Sequence, residues 1–125
     1  MRRRILIADD SPLIRHTVRA WIESKTDYEI CGEAEDGKIA VDLVERLKPD
    51  TVILDIAMPV MNGVQAADEI IANAPKTQIV MLTNFPSDLL KQHALCVGIK
   101  AVLAKDGEGT LDRLVSTLQD LPDAA

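Results

Sequence analysis

Aromatic residues are nearly missing from this chain. Trp21, Tyr28 and Phe85 are 2% of its 125 residues, so the core has to be packed from Ile, Leu, Val and Ala, and stacking of single-stranded nucleic acid on rings is disfavoured. Cysteine is almost as scarce. Cys31 and Cys96 show neither metal-ligand spacing nor a disulfide framework, and read as small core or half-buried thiols of a cytosolic protein. No apolar stretch approaches the length of a membrane span. The Arg2-Arg3-Arg4 run is followed by no signal-like apolar segment and reads as a solvated lead-in to the first strand. Positive charge is in the minority, with 14 Lys and Arg against 20 Asp and Glu for a net charge of −6. That balance disfavours direct binding to nucleic acid or to an anionic membrane. What is left, 47% hydrophobic and 27% charged residues, is a soluble, globular composition at the length of one domain.

Strand and helix patterns alternate five times without a linker. The runs Ile5–Ala8, Thr51–Leu54, Ile79–Leu82 and Ala101–Ala104 are apolar throughout, as expected of strands covered on both faces. Tyr28–Ala34 alternates Tyr28, Ile30, Gly32 and Ala34 with Glu29, Cys31 and Glu33, which suits an edge strand. Ser11-Pro12 opens the first helix, whose stripe is Leu13, Ile14, Thr17, Val18, Trp21 and Ile22. Asp36-Gly37 and Asn62-Gly63 open the second and third. The fourth runs from Ser87 to Val97, with Gly98 as its C-terminal cap. The fifth presents Leu111, Leu114, Val115 and Leu118 and ends before Pro122. Five βα units predict an α/β, doubly wound, flavodoxin-like fold with a five-stranded parallel sheet in order 2-1-3-4-5. Residues 1–121 form the domain on this reading, and 122–125 a tail or the start of a truncated linker.

Four apolar runs end in functional groups: Asp9 and Asp10, Asp55, Thr83 and Lys105. A parallel sheet brings all its carboxyl ends to one edge, where such folds bind ligands. Three carboxylates, a hydroxyl and an amine would converge there, a set fitted to a divalent cation and a phosphoryl group. Adjacent acids cannot both point the same way, so one of Asp9 and Asp10 is expected to bind the cation directly and the other through water. Magnesium takes few protein carboxylates, several waters and a phosphate oxygen. Asp55 completes the set, and a carboxylate can also attack phosphorus. Lys105 and Thr83 offer an ammonium and a hydroxyl to the phosphoryl oxygens. Taken singly these residues say little, since paired acids after a strand are usually a turn or a cap. Asp55, directly before Ile56-Ala57-Met58-Pro59, has no such capping role. His16 and His93 lie in helical patterns away from the strand ends and read as surface residues.

Jointly, Ile7-Ala8-Asp9-Asp10-Ser11, Leu54-Asp55-Ile56-Ala57-Met58-Pro59-Val60-Met61-Asn62-Gly63, Leu82-Thr83-Asn84 and Leu103-Ala104-Lys105-Asp106 resemble the receiver (CheY-like) domain of two-component response regulators over essentially the whole chain. The resemblance implies that Asp55 is the phosphoacceptor and that Asp9, Asp10, Asp55 and the main-chain carbonyl of Ala57 hold Mg²⁺. Thr83 and Lys105 would bind the phosphoryl group and switch on activation. The phosphoryl group would come from a histidine kinase or phosphotransfer protein, or from a small donor such as acetyl phosphate. No external substrate is expected to turn over, since the acid that phosphohydrolases place two residues after the nucleophile is here Ala57.

Three departures from the family pattern matter. Val102 stands where many receivers have the aromatic residue that rotates with the threonine, so output is expected through the Thr83 loop and the fourth helix. Asp106 replaces a common proline, which resembles the branch whose receivers precede a helix-turn-helix DNA-binding domain. The expectation is either a chain that acts alone or the receiver of a longer regulator. Ala57 and Phe85 occupy the two positions that tune hydrolysis, and neither can orient a water, so slow self-dephosphorylation is expected with Phe85 shielding the site. Partners would meet the face of the fourth helix, last strand and fifth helix, with Lys91, Gln92, Lys100, Asp112 and Arg113 as polar candidates, and a homodimer there is one option. The alternative reading is a receiver-like binding module that signals without phosphorylation.

Overall fold

The first four helices of this chain begin where a short polar side chain satisfies a free N–H group of the first turn, whereas the fifth follows Gly109 and has no side-chain cap. In the computed structural model, which describes residues 2–122, Ser11, Asp36, Asn62 and Ser87 accept hydrogen bonds from the N–H groups of Ile14, Ile39, Gln65 and Leu90. Such caps are each worth about 1 kcal/mol. The elements run β1 (Arg4–Ala8), α1 (Pro12–Lys25), β2 (Glu29–Ala34), α2 (Gly37–Leu47), β3 (Thr51–Asp55), α3 (Gly63–Asn73), β4 (Gln78–Thr83), α4 (Asp88–Val97), β5 (Ala101–Ala104) and α5 (Thr110–Asp120). Lys48 and Gly98 end α2 and α4 in the left-handed conformation, at φ 49° and 105°.

The five strands are parallel in the order β2-β1-β3-β4-β5, as the alternation of patterns predicts. Strand periodicity divides the core in two. Leu6, Ala8, Val52, Leu54, Ile79 and Met81 pack against Ala40 and Val44 of α2, Ala67 and Ile70 of α3, and Ala94 of α4. Ile5, Ile7, Ile53, Val80 and Leu82 pack on the other side, against Val18 and Ile22 of α1 and Leu114 and Leu118 of α5. Continuously apolar strands are therefore covered on both faces in β1, β3 and β4.

Several expectations are corrected. The simple alternation in β2 is broken by a bulge: Ile5 pairs with Ile30 and Leu6 with Gly32, leaving Cys31 as the extra residue. Ile30 accordingly faces α1 and α5, while Ala34, four residues on, faces the opposite side. β5 is apolar but not fully covered. It is the second edge strand, and all four of its residues are half-buried. In α1, Leu13 is 71% exposed and Thr17 is also exposed, so the buried stripe narrows to Val18 and Ile22, flanked by half-buried Ile14 and Trp21. Cys96 is exposed, whereas Cys31 is half-buried.

The arginine run is more than a solvated lead-in, for its guanidiniums bond main-chain carbonyls along the amino edge of the sheet. Arg2 donates to the carbonyls of Asp27 and Tyr28, Arg4 to those of Leu47 and Lys48, and Arg3 to those of Leu118 and Leu121. Leu121, the last residue of the expected domain, and Pro122, the first of the expected tail, are tied down by Arg3 and by a 2.7 Å bond from Gln78 Nε2 to the Pro122 carbonyl. The remainder of the expected tail, residues 123–125, lies outside the described residues.

Candidate functional site

The sheet delivers the functional side chains by register. Asp55 and Thr83 are the last residues of β3 and β4, and Asp55 pairs with Leu82, one residue short of Thr83. The ladders continue past the formal strand ends, with Asp9 N–H donating to the Ala34 carbonyl at 3.0 Å and Lys105 N–H to the Thr83 carbonyl at 2.8 Å. Asp9 and Lys105 are thus fixed by the same hydrogen bonding that holds the strands.

At this edge Asp9 and Asp55 are almost wholly buried, at 2% and 3% exposure, and Asp10 is exposed. One carboxylate oxygen of each lies within 4.8 Å of the other two. Lys105 Nζ bridges the buried pair, 2.7 Å from Asp9 Oδ2 and 3.0 Å from Asp55 Oδ1. Asp9 Oδ1 accepts from the Ser11 N–H at 2.9 Å, and Asp55 Oδ1 from the Ala57 N–H at 3.3 Å. Burial raises the Asp55 carboxyl above its ordinary value and the Asp9 charge adds to the rise, with Lys105 pulling the other way. Burial works to lower the Lys105 ammonium, but its hydrogen bonds to Asp9 and Asp55 outweigh that and raise it, so it is charged at neutral pH. Two buried carboxylates sharing one ammonium, with a third at the rim, leave net negative charge and hard oxygen donors in one place. That donor set fits a small divalent cation.

The loop after Asp55 is tightly wound. The Ile56 carbonyl accepts from the N–H groups of Met58 (3.1 Å) and Gly63 (2.8 Å), and the Pro59 carbonyl from Met61 N–H at 2.7 Å. The last bond closes a three-residue turn about Val60, whose φ is 68°, a strained arrangement for a branched residue. Two glycines press on the loop. A Cβ at Gly63 would lie 2.0 Å from the Asp55 carbonyl oxygen, and one at Gly37 2.0 Å from that of Met61. Only a residue without a side chain fits at either position.

The other sequence-derived positions are less tightly gathered. Thr83 is buried, and its Oγ1 accepts from the Phe85 N–H at 3.1 Å. Ala57 is exposed at the rim. Val102 is half-buried and packs on the α2, α3 and α4 side of the sheet. Phe85 is 85% exposed, so its ring does not cover the acids as expected. His16 and His93 are exposed. Sequence reasoning missed Arg15, whose Nη1 donates to the main-chain carbonyl of Asp9 at 2.6 Å and whose Nε meets Glu33 at 3.1 Å. Its position one turn into α1 is the signal the sequence carries, since its partner Glu33 lies on β2. A cavity of about 810 Å³ bordered by Val44, Lys48, Glu69, Ile70, Asn73 and Lys76 lies between the C-terminal ends of α2 and α3. It is at the opposite edge and holds none of the clustered acids.

Residues 5–119 match the family described as response regulator receiver domain. The chain is 38% identical over 116 residues, 93% of its length, to the uncharacterised transcriptional regulatory protein YhcZ of Bacillus subtilis (strain 168), and covers 53% of that protein. It spans about half the length of most of the curated transcriptional regulators it matches. Among solved structures, the response regulator domain of Thermotoga maritima CheB superposes with a TM-score of 0.86 at 29% identity, covering 95% of this chain and 96% of that one. The signal receiver domain of the putative response regulator NarL from Mycobacterium tuberculosis gives 0.86 at 28% identity, covering 95% and 94%.

Proposed function

This chain belongs to the response regulator receiver family of two-component signalling, and from that premise we propose that it is a switch set by phosphorylation of Asp55. One observation carries the reading: Lys105 bridges Asp9 and Asp55, with Asp10 alongside, at the carboxyl edge of the sheet. A buried nucleophilic carboxylate with an ammonium held against it is what attack on phosphorus requires. An Asp55 carboxylate oxygen bonds to the phosphorus of the donor. The donor's bond to phosphorus breaks, and its electron pair leaves with the imidazole nitrogen of a phosphohistidine or the acetate oxygen of acetyl phosphate. Lys105 then bonds a phosphoryl oxygen in place of Asp55, and Thr83 offers its hydroxyl to another.

Receiver domains bind Mg²⁺ at an acidic cluster, and here Asp9, Asp10, Asp55 and the Ala57 carbonyl would hold it. When bound, the ion neutralises the carboxylates that would otherwise repel the phosphoryl group. It also favours the ionised, nucleophilic form of Asp55 over the protonated form that burial promotes. Ala57 offers neither an acid nor a water-orienting group, so the bond to phosphorus is long-lived and no external substrate turns over.

The partners on this reading are a histidine kinase or phosphotransfer protein upstream, in the cytoplasm, and transcriptional output downstream. Phosphorylation draws Thr83 toward Asp55 and repacks the β4–α4 loop, which changes the face formed by α4, β5 and α5. Val102 supplies no ring for that transmission, so the loop and α4 carry it, with dimerisation across the face as one output. Incubation with acetyl phosphate and Mg²⁺ followed by intact-mass measurement tests the proposal. A single phosphoryl adduct is expected, abolished by chelator and by Asp55→Asn. An unmodified wild-type protein under those conditions would favour a module that signals without phosphorylation.

A further inference from the structure

Asp9 is held at four points. Its N–H donates to Ala34, its two carboxylate oxygens meet Ser11 N–H and Lys105, and its carbonyl oxygen accepts from Arg15. Asp10 is different, for it is exposed at the rim of the site. The direction of its side chain follows from the peptide that joins it to Asp9, and the oxygen of that peptide is the one Arg15 grips at 2.6 Å. Arg15 is itself well fixed. Its side chain is 15% exposed, and its Nε is held at 3.1 Å by Glu33. Glu33 pairs with Ile7 in the β1–β2 ladder and binds Arg19 at 2.7 Å with its other oxygen. Burial alone would raise the Glu33 carboxyl, but hydrogen bonds from Arg19 and Arg15 prevail and hold it below the usual carboxylate range.

We propose that Arg15 is a positioning residue for the metal site, locking the Asp9–Asp10 peptide so that Asp10 faces the cation. It does so from α1 without touching the ion, and Glu33 fixes the plane of its guanidinium. The planar fork suits this task, since it bonds a carboxylate with one nitrogen and a carbonyl with another. The inference rests on the reading of Asp9 and Asp10 as Mg²⁺ ligands.

Simple electrostatics predicts the opposite outcome from positioning. Arg15 is a cation beside a dication site, so its removal should tighten Mg²⁺ binding if charge alone mattered. Positioning predicts weaker binding. Calorimetric titration of the full chain with Mg²⁺ separates the two, using wild type, Arg15→Met, Arg15→Lys, Arg19→Met and Asp10→Asn. Arg15→Met is expected to weaken binding about tenfold or more, the usual effect of losing a group that orients a ligand. Arg15→Lys should fall between Arg15→Met and wild type, because an ammonium can still donate to the Asp9 carbonyl but loses the fork that also engages Glu33. Arg19→Met breaks an ion pair to the same Glu33 and is expected to bind Mg²⁺ as wild type does. The inference is overturned if Arg15→Met binds as tightly as wild type or tighter, or if Arg19→Met loses as much as Arg15→Met. Should Arg15→Met not fold, Arg15→Lys binding like Arg19→Met overturns it equally. A wild-type protein that binds no Mg²⁺, or an Asp10→Asn variant indistinguishable from wild type, would instead overturn the metal reading beneath it.

Discussion

At the scale of single residues, Lys105 and Asp55 make opposite contributions to stability. Lys105 lies between two buried carboxylates, and replacing it with Met leaves both without a cation. In metal-free buffer at neutral pH, Lys105→Met is expected to cost about 3 kcal/mol by denaturant unfolding. Asp55→Asn should act in the other direction. The Asp55 carboxyl is raised in the fold, chiefly by burial, so the native state binds its proton more tightly than the unfolded chain does. The stabilisation from that shift is present at low pH and is lost as pH rises from the unfolded value through the folded one. Removing the charge should therefore raise neutral-pH stability without metal and flatten the loss of stability between acid and neutral pH. Equal stability of Asp55→Asn and wild type across that range would contradict this account of the pocket. The site acids, Thr83 and Lys105 are legible in the sequence because they stand at the ends of apolar runs that read as strands of one parallel sheet. Arg15, Gly37 and Gly63 are not, because their contacts join segments far apart in the chain or depend on how closely two backbones approach.

At the scale of elements, the strained turn after Asp55 gives the clearest prediction. Val60 sits at φ 68° and is 81% exposed, so it supplies little packing to offset its conformation. Val60→Gly should stabilise the protein by about 0.5–1 kcal/mol in thermal or denaturant unfolding, the strain relieved less the entropy of a freer unfolded chain. Helix limits were legible because Ser11, Asp36, Asn62 and Ser87 are caps whose partners lie three residues on. The β2 bulge was not, since Cys31 and Gly32 read as ordinary alternation until Leu43 and Leu47 of α2 close on Gly32. The apolar run in β5 misled for a related reason. Its composition matches that of the inner strands, yet it has a neighbour on one side only.

At the scale of the whole molecule, the two edges of the sheet do different work. The amino edge is bound together by arginines on helix-end and loop carbonyls, while the carboxyl edge concentrates like charge that favours a cation. Mg²⁺ should therefore stabilise the fold by mass action, by about 2.7 kcal/mol at a hundredfold excess over its dissociation constant. A rise in Tm with Mg²⁺ that is lost in Asp10→Asn checks this. The central claim is that Asp55 is the residue that takes the phosphoryl group. Borohydride reduces an acyl phosphate to an alcohol with release of phosphate, which marks the modified aspartate as homoserine. After treatment with acetyl phosphate and Mg²⁺, peptide mass mapping should find homoserine at position 55 and not at 9 or 10. Homoserine at another aspartate, or at none while a phosphoryl adduct is present on the intact protein, would contradict the claim.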